Sequence, residues 1–233
     1  MTDISEIILA VLLLIDLSLV ASGRMLRCIR LAALHGFLIG VFPLVLWDYS
    51  GKGFPAVAIL LVAAAGMLIK GVLLPRLLRH AMDHAKVKRE LEPLIGYAES
   101  LGVVLLLSTL VFYLWMRCAV TPAGVPVLVA PVAFTTMITG IFITIARKKA
   151  LTQVIGFLIF ENGITVFGMG MGVECGLLVE LGIMLDVLVL VFVMGIAMFH
   201  INREFAHIDA DRLNHLSEVD DDDSYDAGES EVK

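Results

Sequence analysis

The sequence predicts an all-α, polytopic membrane protein of seven transmembrane helices. Three observations carry this. The chain has 233 residues, of which 59% are hydrophobic, and its mean hydropathy is +0.94, far above that of a globular domain. Its apolar runs are about twenty residues long, the length of a spanning helix rather than of a barrel strand. Basic residues gather after every second run, the pattern that orients a multi-pass protein.

The first span is read over 4–22. Asp3 and Glu6 precede it and Arg24, Arg27 and Arg30 follow it, the reverse of a secretory signal peptide. The second covers about 31–47, with Trp47 and Tyr49 as interfacial anchors. The third covers about 55–74 and ends at Pro75, followed by a basic loop with Arg76, Arg79, Lys86, Lys88 and Arg89. The fourth is about 94–116 and the fifth about 125–146, followed by Arg147, Lys148 and Lys149. The sixth is about 151–171 and the seventh about 176–199, followed by Arg203. The loops after spans two, four and six hold only Lys52 and Arg117. The expected topology has the N-terminus outside and the C-terminus in the cytoplasm.

The net charge of −6 owes much to an acidic tail after His207, with Asp220, Asp221, Asp222 and Asp223. That tail reads as a solvated, unstructured cytoplasmic segment. The basic loop between spans three and four sets topology and offers a surface for anionic lipid. Cys28, Cys118 and Cys175 have neither metal spacing nor a disulfide framework. Nothing points to nucleic acid, and no cofactor is expected.

The informative residues are charges inside apolar runs. An ionisable group at that depth costs several kcal/mol and marks a functional site. Glu161 lies twelve residues past Lys149, roughly 18 Å from the inner boundary. Asp186 lies ten residues past Gly176, roughly 15 Å from the outer one. Two acids on consecutive antiparallel helices therefore share a depth. Glu180 is about 9 Å nearer the outside and about 120° round the helix, which makes it an outer accessory. Asp16 in the first span joins the candidates. Lys70 is the one lysine within a span, read either as snorkelling to the interface or as paired with Glu99. His35 lies in the inner half, where packing is the plainer role. Asn162 is a neutral hydrogen-bond partner for Glu161. Gly163, Gly168, Gly170, Gly172 and Gly182 allow close helix approach. Together the acids suggest proton handling, because a carboxyl in apolar surroundings can load and release a proton where an exposed one stays ionised.

The segments GFLIFENGI, around Glu161, and VELGIMLDVLV, around Asp186, resemble the NuoK-type small subunit of respiratory complex I. The whole-chain plan is similar to the hydrogenase-4 component E family, in which extra helices precede a NuoK-like three-helix core. The resemblance covers roughly 123–203 and implies three segments: a four-helix membrane segment at 1–122, a NuoK-like core at 123–206 and an acidic tail at 207–233. It implies a non-catalytic subunit of a group 4 hydrogenase, a formate hydrogenlyase or a related complex in a prokaryotic cytoplasmic (inner) membrane. The implied partners are antiporter-like membrane subunits, a quinone-subunit-like membrane protein and peripheral iron–sulfur and hydrogenase-like subunits. An aspartate stands where the family's third-helix acid would be a glutamate, so Asp186 and Glu180 both remain candidates for it. The competing expectation is a structural scaffold whose acids serve packing. A retinal-type carrier would need a lysine in the last span, and 176–199 has none.

Overall fold

A computed structural model describes residues 2–50, 56–84, 95–118 and 126–170. Among these residues the chain is helical, with α1 (Thr2–Ala21), α2 (Met25–Ser50), α3 (Ala56–Leu68), a π turn (Ile69–Leu73), α4 (Leu74–His84), α5 (Tyr97–Cys118), α6 (Val129–Ala146) and α7 (Ala150–Gly170). Five of the described helices are long and apolar enough to cross a membrane: α1, α2, α5, α6 and α7. The expected seventh span and the acidic tail lie outside the described residues.

Two boundaries differ from expectation. The first basic loop shrinks to a short connection after Ala21, because α2 begins at Met25. Arg27 and Arg30 are thus exposed positions on α2 itself. The third span does not stop at Pro75. The helical path runs from Ala56 to His84 with the π turn in its middle, where the Leu74 N–H reaches back to the Ile69 carbonyl. A proline inside a regular helix clashes with the carbonyl four residues back and lacks its own donor. The wide turn just before Pro75 relieves that crowding, and the chain continues as an amphipathic helix. Leu74, Leu78, Ala81 and Met82 are buried on one side of α4, while Arg76, Arg79 and Asp83 are exposed on the other.

The helices α6 and α7 form the tightest hairpin. Gly140 and Gly156 face each other's backbones, and Gly163 sits against Met137, so small residues set the helix separation. On the other side α1 packs against α2, α5 and α6, and α2 packs against α7, α3, the π turn and α4. At one end Arg147 is buried. Its Nη2 donates to the Val20 carbonyl oxygen at 2.8 Å, and its guanidinium lies 4.8 Å from the centre of the Tyr97 ring. This arginine, expected as a flanking surface charge, instead ties together the end of α1, the start of α5 and the α6–α7 turn.

The described residues form two apolar clusters in the interior. One joins Leu19, Val20, Met25, Ile29, Leu78, Leu151 and Ile155 near the Arg147 end. The other joins Leu9, Leu12, Phe42, Val132 and Val166 toward the opposite end. Between them, on α1, α2, α6 and α7, lie Asp16, His35, Thr136, Glu161 and Asn162, all buried.

Candidate functional site: a buried ionisable layer

The layer begins on α7. Glu161 is 1% exposed at mid-helix. Its Oε1 lies 2.6 Å from Lys70 Nζ, and Lys70 also donates to the Thr165 hydroxyl at 3.3 Å. Thr165 is four residues past Glu161, one turn along the same face, and donates in turn to the Glu161 carbonyl oxygen at 3.0 Å. Lys70 neither snorkels nor pairs with Glu99. Glu99 sits exposed in the first turn of α5, where a carboxylate needs no protein partner. The lysine's side chain retains 9% exposure, so the pair is desolvated and must be held by its own geometry.

Close backbone approach brings Lys70 to this position. A Cβ on Gly36 would lie 2.7 Å from the Lys70 carbonyl oxygen, and one on Gly40 would lie 2.6 Å from the Met67 nitrogen. Glycines on α2 therefore provide the groove in which α3 and the π turn rest. The π turn carries Lys70 itself, and such single wide turns favour functional positions.

The second half of the layer lies across α2. His35 and Asp16 are each 0% exposed. His35 Nε2 is 3.3 Å from Asp16 Oδ1, within ion-pair reach but out of line for a hydrogen bond. The Thr136 hydroxyl donates to Asp16 Oδ2 at 2.7 Å. The other ring nitrogen of His35, Nδ1, lies 3.1 Å from Asn162 Nδ2. Asn162 thus serves His35, not Glu161 as expected. The outcome is a continuous line, Thr136–Asp16–His35–Asn162, whose last member is the chain neighbour of Glu161.

Of the sequence candidates, the structure brings together Asp16, His35, Lys70 and Glu161 and leaves Glu99 apart. Asp186 and Glu180 lie outside the described residues. Thr136 and Thr165 were missed. The available signal was their position, a threonine in each of two apolar helices that already carried or faced an acid. Among the described residues no group of His, Cys, Asp and Glu side chains is arranged to hold a metal ion.

Apolar spanning helices closed around a buried ionisable layer define a multi-pass helical membrane protein. No family model matches the chain, and no solved structure matches it. It is 33% identical over 202 residues, 85% of its own length and 89% of the relative's, to the uncharacterized protein Rv0085 of Mycobacterium tuberculosis (strain ATCC 25618 / H37Rv). The chain belongs to the same family as that protein.

Proposed function

We propose that this chain is a membrane subunit of a group 4 hydrogenase, formate hydrogenlyase-like or related complex I-like assembly, and that its intramembrane carboxylates form part of a lateral proton path coupling redox chemistry to ion translocation. The observation that carries the reading is the placement of two ionisable pairs, Lys70–Glu161 and Asp16–His35, in one buried layer. A desolvated charge survives there only with a partner, and a pair whose partner can be drawn away is a group that can change its proton affinity. In this reading the seven-span topology holds, Asp186 or Glu180 continues the line, and antiporter-like, quinone-subunit-like and peripheral iron–sulfur subunits surround the chain. The exposed arginines of α2 and α4 and Lys148 support a cytoplasmic placement for the Arg147 end.

The test is Glu161→Gln in the assembled complex from the native host. Retained electron transfer with lost translocation is expected. Full translocation in the mutant would remove Glu161 from the path. Copurification of the tagged chain, with its partners identified, tests the assembly.

A scaffold is the second reading. It is favoured by the fact that Lys70, Glu161, Asp16 and His35 pair within the chain, as packing groups do. It predicts that Glu161→Gln lowers the amount of intact complex on a native gel instead of uncoupling it.

A further inference from the structure

Asn162 stands between the two ionisable pairs. Its Nδ2 lies 3.1 Å from His35 Nδ1, on the ring edge opposite the one that faces Asp16. Its backbone neighbour Glu161 holds Lys70. A cavity of about 10 Å³, room for roughly one water, is lined by Lys70 and Asn162 among apolar residues such as Ala32, Leu74 and Leu158. One residue therefore touches the imidazole and also lines the lysine's cavity.

An amide has a donor end and an acceptor end, and a neutral imidazole has one of each. The proton on one ring nitrogen is placed by what the other nitrogen meets. With the Asn162 N–H directed at Nδ1, that nitrogen presents its lone pair and the ring proton sits on Nε2. There it faces Asp16, whose second oxygen accepts from Thr136. If the ring takes up a second proton, His35 carries N–H on both nitrogens. Nδ1–H then points at a donor. A half-turn of the amide presents its carbonyl oxygen instead and swings its NH2 group away from the ring.

We propose that Asn162 is a positioning residue whose amide orientation follows the protonation of the Asp16–His35 pair, at the edge of the cavity that it shares with Lys70. The consequence for proton transfer rests on the function proposed above; the amide turn itself does not. Among the described residues, the charged groups around His35 are few. Asp16 faces it from α1, Glu161 adjoins Asn162 on α7, and Lys70 lies across Gly36 on the π turn. Arg76, Arg79, His80 and Asp83 on α4 are exposed.

The test is NMR of the full-length chain in lipid nanodiscs, with 15N label in histidine and asparagine side chains. Where its ring is neutral, the wild type should carry the His35 proton on Nε2 alone. On acidification both nitrogens should become protonated, and the Asn162 side-chain signal should move with the same midpoint. Asn162→Asp offers only acceptors and should raise the doubly protonated fraction of His35 about tenfold or more at a given pH, as a charge-assisted hydrogen bond does. A proton on Nδ1 of the neutral wild-type ring, or an Asn162 signal that stays still while His35 takes up its second proton, overturns the proposal. The wild-type titration decides even where the variant does not fold. If the amide turns while Glu161→Gln leaves translocation intact, the Asn162 role stands and the proton-path reading falls; a still amide with translocation lost gives the reverse.

Discussion

Lys70 Nζ and Glu161 Oε1 meet at 2.6 Å across 91 residues of chain, one from a π turn and the other from the centre of α7. Neither helix alone would keep its charge in that surrounding. Removing one partner leaves an uncompensated charge, at a cost of about 3–5 kcal/mol, whereas replacing both with apolar groups of similar size is often nearly neutral. Lys70→Met and Glu161→Leu should each lower the thermal stability of the purified protein in detergent. The double variant Lys70→Met/Glu161→Leu should recover most of the loss. Additive losses in that cycle would show that the two groups are independent.

Gly36→Ala should destabilise by about 1–3 kcal/mol, as overpacking does, because the new methyl meets the Lys70 backbone. Gly102→Ala on α5 is the control. Nothing lies within 4 Å of a Cβ there, and the gain in helix propensity is worth up to about 1 kcal/mol. Opposite signs in the two melting temperatures are expected. A neutral Gly36→Ala would mean that α2 and the π turn separate easily.

Thr136→Val keeps the shape of the side chain and removes the hydroxyl that donates to Asp16 Oδ2. A hydrogen bond to a charged acceptor, once lost in a buried place, costs about 1–3 kcal/mol. A drop of that order in unfolding free energy is expected from denaturant titration. Thr109→Val is the comparison: Thr109 is exposed and its hydroxyl only returns to the Leu105 carbonyl of its own helix, so it should change stability little.

Deleting Val72 removes the extra residue of the π turn and leaves α4 facing as before. It also puts Pro75 into a regular helix, where a proline costs about 3 kcal/mol. The deletion should therefore be strongly destabilising, and Pro75→Ala should rescue it. The test is the folded yield of the deletion with and without that substitution. Equal yields would mean that the wide turn does not serve Pro75.

The layer was legible in the sequence where the physics was about cost. Asp16, Lys70 and Glu161 stand out because a charge in an apolar run is expensive wherever it points. Partnership was not legible. Depth alone made Glu99 as good a match for Lys70 as any other acid, since both fall in the inner half of the chain's spans. The choice of Glu161 follows from α2 lying against both α7 and the π turn, which depends on Gly36 and Gly40. Likewise Arg147 looked like a topology signal, because nothing in a run of three basic residues says that the first turns inward to Val20 and Tyr97. The π turn left only Pro75 as a trace, and a proline at the end of an apolar run more often marks a stop.

The two apolar clusters have a further electrical meaning. They act as insulating caps on a thin polar disc. A charge placed in the disc is shielded lengthwise by several layers of hydrocarbon toward Leu9 and Phe42 at one end and Met25 and Leu151 at the other. Sideways, among the described residues, Lys70 keeps some exposure at the rim. A neighbouring helix that carried or lost a charge beside the π turn would be felt by Glu161 more strongly than any change in salt at either end of the bundle.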